Sequence, residues 1–395
     1  MTEMTFNTFN QPEPEPVHKP ILKVLGLGGG GCNAVARMME LGIRGVHYIA
    51  ANTDHQALEA NPAPAKIQLG PKVTRGLGAG GDPRIGEEAA KESARELAAA
   101  LQGAEMVFLT AGMGGGTGTG SIPVAAEIVR SLGAVAIAVV TMPFSFEVGR
   151  RQKNAADGVA KLRQRTNTLI AIPNDRLLFV AQRDLPLEMA FRIADDVLRQ
   201  AVQGISELIT ETGLINVDFA HIRRLIRMGG GAMMSMGYGH GENKTRKALD
   251  QALHHPLLET VSLESAAGVI ANFTGGDDLS LFEVQDALNH LQGLTSPQTE
   301  IVMGVITDER LQDRVQVTLV ITGLGAPSLE ETMSGISRVE KREPVVASQP
   351  EPRPVQPPPA SPPPKQMPIH QSISEATYTN LDLPAFLRRR ARLAG

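Results

Sequence analysis

Gly26-Leu27-Gly28-Gly29-Gly30-Gly31-Cys32-Asn33 follows the apolar run Ile21-Leu22-Lys23-Val24-Leu25, and Gly114-Gly115-Gly116-Thr117-Gly118-Thr119-Gly120 follows Met106-Val107-Phe108-Leu109. Each glycine run leads into a helix-like stretch, so each sets bare backbone N–H groups at a strand-to-helix turn. Unpaired amides and the positive end of a helix dipole stabilise an anion there. Glycine suits the position because a side chain would block an approaching phosphate. Two such runs in one α/β domain point to a nucleotide with several phosphates.

Gly26-x-Gly28-x-x-Gly31 also matches the dinucleotide fingerprint, with Asp54 placed to serve as its ribose acid. That reading, an NAD-dependent oxidoreductase, leaves the second run unexplained and finds no evident hydride-transfer acid. The chain has no G-x-x-x-x-G-K-[ST] motif. Without a P-loop lysine, backbone must hold the phosphates.

A length of 395 residues implies two packed domains plus tails. The composition, 42% hydrophobic and 20% charged, is that of a globular protein. A formal net charge of −4 with no strongly basic body argues against a nucleic-acid partner. The single cysteine, Cys32, excludes an internal disulfide and fits a reducing cytoplasm. No run is long and apolar enough to span a membrane and no secretory signal is evident, so direct membrane insertion is not expected.

Residues 1–19, with Gln11-Pro12-Glu13-Pro14-Glu15-Pro16, are expected to be a disordered arm. Over 20–186, apolar runs at Val46–Ala51, Met106–Leu109, Ala134–Val140 and Leu169–Ile172 alternate with helical stretches such as 86–101 and 122–132. The alternation predicts an α/β, Rossmann-like domain with a mostly parallel sheet covered on both faces. Ligands on such a sheet lie beyond the carboxyl ends of its strands. Residues 187–211 carry Ile193, Val197, Ala201, Ile205 and Leu208 at helical spacing, with further apolar residues off that stripe, so a long central helix is buried on most sides. Residues 212–333 read as a smaller α+β domain, with helices over 244–254 and 281–291 and strands over 301–306 and 314–321. A proline-rich linker over 334–377 and an apolar, arginine-tailed docking peptide over 378–395 complete the chain.

From about Ile21 to about Thr322 the chain resembles the FtsZ family of tubulin-like GTPases of bacterial cell division. The likeness rests on both glycine runs, Asn52-Thr53-Asp54, Gly76-Leu77-Gly78-Ala79-Gly80, Ile172-Pro173-Asn174-Asp175 and Asn216-Val217-Asp218-Phe219-Ala220. It returns at Leu381-Asp382-Leu383-Pro384-Ala385-Phe386-Leu387-Arg388. The resemblance implies a tubulin/FtsZ fold, GTP as substrate with Mg²⁺, and head-to-tail self-assembly into a cytokinetic ring beneath the inner membrane. It also implies membrane-anchoring and regulatory division proteins bound through Asp382, Leu383, Pro384, Phe386, Leu387 and Arg388.

The same resemblance assigns the phosphates to Gly29, Gly30, Gly31, Cys32 and Asn33, and to Gly114, Gly115, Gly116, Thr117, Gly118, Thr119 and Gly120. Gly80 and Gly81, in a third glycine-rich turn, face the γ-phosphate. Glu147, Arg151 and Asn174 surround ribose and phosphates, Phe191 walls the base, and Asp196 reads it. A carboxylate accepts from guanine N1–H and the exocyclic amine but repels the N1 acceptor of adenine.

Catalysis in this family uses a loop from the next subunit, here Asn216, Asp218 and His221, with His221 where a second aspartate is usual. A neutral imidazole, with reference pKa of about 6.5, can orient water or act as base near pH 7. A protonated one reverses the local charge. The substitution also fits slow hydrolysis, which keeps open a second reading: a GTP-binding scaffold or regulator. Asp218 alone also reads as a helix N-cap.

Overall fold

The computed structural model describes residues 19–324 apart from 148, 178–185, 211–213, 216, 229–230 and 256–262. The amino-terminal arm, the linker, the docking peptide and Asn216 therefore lie outside the described residues.

The first half runs β1 (Leu22–Leu27), α1 (Gly28–Glu40), β2 (Val46–Asn52), α2 (His55–Glu59), β3 (Ala65–Gln68), α3 (Pro71–Thr74), α4 (Pro83–Glu92), α5 (Ala94–Leu101), β4 (Met106–Gly112) and α6 (Thr117–Ser131). It continues through β5 (Val135–Met142), α7 (Arg150–Arg163), β6 (Thr168–Pro173), α8 (Asn174–Leu177) and α9 (Leu187–Thr210). Then follow α10 (Phe219–Arg227), β7 (Gly231–His240), α11 (Lys244–Leu253), β8 (Gly268–Gly275), α12 (Leu281–Leu294), β9 (Glu300–Thr307) and β10 (Arg314–Leu324).

The strands form one sheet in the order β3-β2-β1-β4-β5-β6-β7-β10-β8-β9. From β3 to β6 all pairs are parallel. The order reverses between β1 and β4, the two strands that carry the glycine runs, which makes their carboxyl ends the topological switch point where ligands bind. Beyond β6, among the described residues, Leu169↔Gly231 and Ile170↔Ala232 are the pairs that join β6 to β7. The second half then pairs β7, β10 and β8 antiparallel, with β9 parallel to β8.

Alternation along the strands fills two layers. Leu22, Val24, Met106 and Phe108 pack toward α1 and α9, whereas Leu25, Leu27, Val107 and Leu109 pack toward α5, α6 and α7. Burial on both faces is why these strands read as unbroken apolar runs. Leu198, Val202 and Ile205 of α9 share their core with Ile270 of β8, Val302 of β9 and Val320 of β10. The central helix is thus packed by both halves, as its off-stripe apolar residues imply. Gly204 makes this contact close, because a β-carbon there would lie 2.7 Å from Thr318 Cγ2.

Two helices depart from the sequence reading. The stretch expected as a helix over 86–101 is two helices meeting at Ser93, whose hydroxyl donates to Gln68 O (3.1 Å) and accepts from Gly70 N (3.0 Å). These tertiary bonds hold a helix-breaking kink that local periodicity does not reveal. The helix expected from 122 starts at Thr117, so most of the second glycine run is its first turn rather than a preceding loop. The first run behaves alike, with Gly28 already helical.

Candidate nucleotide site

Both glycine runs converge. A β-carbon on Gly28 would lie 2.7 Å from Gly118 N, and one on Gly30 would lie 3.1 Å from Gly112 N. The amino-terminal turns of α1 and α6 therefore touch, and two helix dipoles of roughly half a charge each point into one place. Not every glycine faces that place. Gly31 is pressed on the Thr110 carbonyl and Gly120 on the Pro83 carbonyl, whereas Gly29 and Gly115 border open space. The first pair is demanded by helix–sheet and helix–helix packing, the second by access.

Cys32 sits under α1, with Sγ near Gly26 O (3.7 Å) and Ala51 O (3.6 Å). Burial pushes its thiol up to about 12. Its side chain belongs to the core, and only its backbone is available to a phosphate. Asn33, next along α1, is exposed.

Thr53 and Thr117 hydroxyls meet at 2.5 Å, and Gly114 N donates to Thr119 Oγ1 at 2.8 Å. The third turn leans on the second run: a β-carbon on Gly116 would lie 2.8 Å from Asp82 N. Gly78, Gly80 and Gly81 all adopt positive φ, which a side chain would strain. Asp82 caps α4, its Oδ1 accepting from Arg84 N at 2.9 Å, and its hydrogen bonds with the Arg84 side chain hold its carboxyl down at about 2. Asn154 of α7 donates from Nδ2 to Gly81 O (3.2 Å) and to Gly114 O (3.4 Å). Sequence reading missed this residue, because nothing local marks a side chain acting across such separations.

Around the rim, Glu147 and Arg151 form an ion pair, and Glu147 Oε1 also accepts from Phe144 N at 3.0 Å. Asn174 is buried at the carboxyl end of β6, and its Oδ1 has no hydrogen-bond partner among the described residues. Phe191 meets Phe144 edge-on at 5.5 Å, and Phe144 stacks on Phe146 at 5.0 Å. Phe146 and Phe191 are partly exposed, giving an aromatic wall with open faces.

The expected base reader is displaced. Asp196 is paired with Arg199 (2.7 Å) and accepts from Gln200 Nε2 (2.6 Å), bordering a cavity shared with Met234, Met236 and Tyr238 of the second half. At about 100° per residue, Asp196 is turned well away from Phe191, whereas Asp195, four positions on, shares its face. Burial pushes the Asp195 carboxyl up to about 6, with Arg37 of α1 pulling the other way. Asp54, the acid of the dinucleotide reading, is spent on capping α2: its Oδ1 accepts from Ala57 N at 3.1 Å.

Asp218 and His221 are not in this neighbourhood. Phe191 of α9 lies beside Phe144, just past the carboxyl end of β5, while a β-carbon on Gly45, just before β2, would lie 2.6 Å from Thr210 Cγ2. The helix thus runs from the carboxyl edge of the sheet to the amino edge, and 19 residues at 1.5 Å make roughly 28 Å between those points. α10 is fastened at the amino edge too, where Thr168 Oγ1 donates to Ile226 O at 2.9 Å. Asp218 caps α10 through Oδ1, which accepts from Ala220 N at 2.9 Å. Both Asp218 and His221 are exposed.

Residues 21–182 match the GTPase domain of the Tubulin/FtsZ family, and residues 230–325 match the C-terminal domain of the FtsZ family. An FtsZ dimer from M. jannaschii, described as empty, is 46% identical; the alignment covers 78% of this chain and 90% of that one, with a TM-score of 0.75. A mutant form of M. jannaschii FtsZ is 47% identical over 77% of this chain and 91% of that one, at TM-score 0.74. A GTPγS-bound protofilament of CetZ2 from Haloferax volcanii shares the fold at 18% identity, 80% and 96% coverage, and TM-score 0.67. With both halves matched in order and nearly half the residues identical to those of solved relatives, the chain belongs to the FtsZ family of tubulin-like GTPases.

Proposed function

We propose that this chain binds GTP at the joined glycine turns and hydrolyses it only after stacking head-to-tail, when the Asp218–His221 loop of one copy reaches the nucleotide of the next. The observation that carries this reading is the roughly 28 Å of α9 between Phe191 in the aromatic wall and Thr210 at the amino edge of the sheet, the edge at which α10 is fastened. No side chain bridges that distance, so a chain's own acids cannot serve its own nucleotide. A head-to-tail contact is heterologous and builds filaments. The FtsZ dimer among its structural relatives supports self-association, and the CetZ2 relative, which shares the fold, is itself described as a GTPγS-bound protofilament. The resulting polymer would form the division ring on the cytoplasmic face of the membrane, tethered to anchoring proteins through residues 378–395. Among the described residues no helix is long and apolar enough to cross a membrane itself.

The residues present fit the nucleotide. Gly29 and Gly115 leave room for phosphate, and the orphan Asn174 Oδ1 offers an acceptor to a ligand N–H or O–H. Among the described residues no cluster of three or more His, Cys, Asp or Glu could hold a metal, so Mg²⁺ would be carried by phosphate oxygens and water. Asp195, rather than Asp196, is placed to read the base.

That assignment has a pH signature. The folded-state value of about 6 for Asp195 exceeds the ordinary 3.8, so the folded chain holds the extra proton between those limits. Its burial therefore costs stability progressively as pH rises through that window, and the penalty is largest above pH 6. Asp195→Asn is expected to raise stability at pH 7 by on the order of 1–3 kcal/mol, with little gain at pH 4, while weakening GTP binding. Melting curves at the two pH values and a GTP titration check this; a variant that melts lower at pH 7 or binds GTP unchanged would sink it.

The assay for the whole proposal follows phosphate release per subunit against protein concentration, with light scattering in parallel. Turnover should be negligible when dilute and rise where scattering begins, and removing residues 378–395 should leave that behaviour intact. Turnover that is independent of concentration would refute the shared site. Scattering without phosphate release would favour the scaffold reading, which His221 motivates.

A further inference from the structure

We infer that Asn154 is a positioning residue that couples the third glycine turn to the phosphate-binding amides of the second run, and so sets the preference for triphosphate over diphosphate. The inference rests on the GTP-binding reading above and deepens it. The side chain lies on α7, outside all three glycine turns, and its amide reaches the carbonyls of Gly81 at 3.2 Å and Gly114 at 3.4 Å. Two acceptors face it, so the NH₂ group, which has two donors, must be the end turned inward. One small side chain therefore ties two turns that lie 33 residues apart in sequence.

The consequence follows from peptide geometry. In a trans peptide the C=O and the next N–H point in opposite directions. Anchoring Gly114 O toward α7 aims the Gly115 N–H away from α7, and Gly115 itself borders open space, where a β-carbon would meet nothing within 4 Å. The bond to Gly81 O acts on the other turn. Ala79 and Asp82 pack against Gly116, but Gly78, Gly80 and Gly81 have positive φ and a β-carbon on any of them meets nothing within 4 Å, so the exposed Gly80-Gly81 centre of the turn has little packing of its own. Its hydrogen bonds include Gly78 N to Thr53 O (3.3 Å), Asp82 N to Ala79 O (3.0 Å) and that from the Asn154 amide, and of these the Asn154 bond is the one that reaches Gly81. Losing the last frees the centre of the turn that faces the terminal phosphate.

Asn154→Asp is the sharpest variant, because it keeps the shape and replaces the two donors with an acceptor that repels both carbonyls. Asn154→Gln keeps the donors and serves as the rescue. Fluorescent GTP and GDP are titrated against full-length parent and variants, with melting temperatures measured alongside. The Asp variant should lose about tenfold in GTP affinity and less than about threefold in GDP affinity, a difference of about 0.7–1.4 kcal/mol by the tenfold rule. The Gln variant should stay near the parent. Equal loss for both nucleotides, or no loss for either, overturns the coupling. Should Asn154→Asp fail to fold, Asn154→Ala carries the same test. Binding by the parent protein reports on the GTP reading itself, and the GTP-to-GDP ratio between variants reports on Asn154, so the two failures are distinct.

Discussion

Protein carrying Asp218→Asn is expected to bind GTP as the parent does and to release phosphate at least about 10²-fold more slowly. Asparagine is as good an N-cap as aspartate, so α10 keeps its start and the change removes charge rather than structure. The Asp218 carboxylate is exposed and spends one oxygen on Ala220 N, so under the proposed stacking its other oxygen would serve the neighbouring copy. A mixing experiment makes the result decisive. Gly115→Asp sets a carboxylate in open space beside the phosphate amides, which repels nucleotide without a clash. Neither variant should turn over GTP alone, yet their mixture should recover activity, because the Asp218→Asn copy supplies the nucleotide and its partner supplies the acid. A mixture that stays at background would mean that the site is not shared. In the same assay His221→Asp should raise turnover; a rate unchanged or lower would show that His221 is no impediment.

Gly31→Ala and Gly29→Ala should part company just as clearly. A β-carbon on Gly31 would fall on the Thr110 carbonyl, where β4 backbone cannot yield, and overpacking of that kind costs about 3 kcal/mol or more. That is a large share of an ordinary stability of about 5–15 kcal/mol, so the melting temperature should fall by at least about 6 °C. A β-carbon on Gly29 meets nothing within 4 Å, and alanine is the better helix former by up to about 1 kcal/mol. Gly29→Ala should therefore melt at or above the parent temperature and still bind GTP at least about tenfold more weakly, because its methyl enters the phosphate's space. Differential scanning calorimetry and a GTP titration on both variants measure this. Equal destabilisation of the two would contradict the division into packing and ligand glycines.

Much of this was legible from residues alone. β1, β4 and β5 are buried on both faces and so appear as continuous apolar runs, and the glycine runs mark the turns that follow them. β7 is another matter. Its Gly-Ala-Met-Met-Ser-Met-Gly-Tyr-Gly-His sequence has none of the β-branched residues that signal a strand. The reason lies in α11, whose Lys244 and Ala248 carbonyls press on Gly239 and Gly237 so closely that a side chain has no room. The break at Ser93 is set by Gln68 and Gly70, far along the chain, and Asn154 works across still longer separations. Choosing between Asp195 and Asp196 required the rotation of α9 about its axis, which adjacent letters do not carry. His221 and Asp218 were visible as residues, but their distance from the glycine turns was not.

If the chain stacks head-to-tail as proposed, the length of α9 also makes the two ends of the stack chemically unlike. At one end the last subunit offers an uncovered nucleotide and no acid above it; at the other, the last acid loop faces water. A row of n subunits then holds n − 1 working sites, so a pair would spend GTP at half the per-subunit rate of a long row. Uncovered nucleotide at one tip alone would confine exchange of GDP for GTP there. Growth and loss would then be governed by the tips, and a rigid rod inside each subunit would have given the whole polymer a direction.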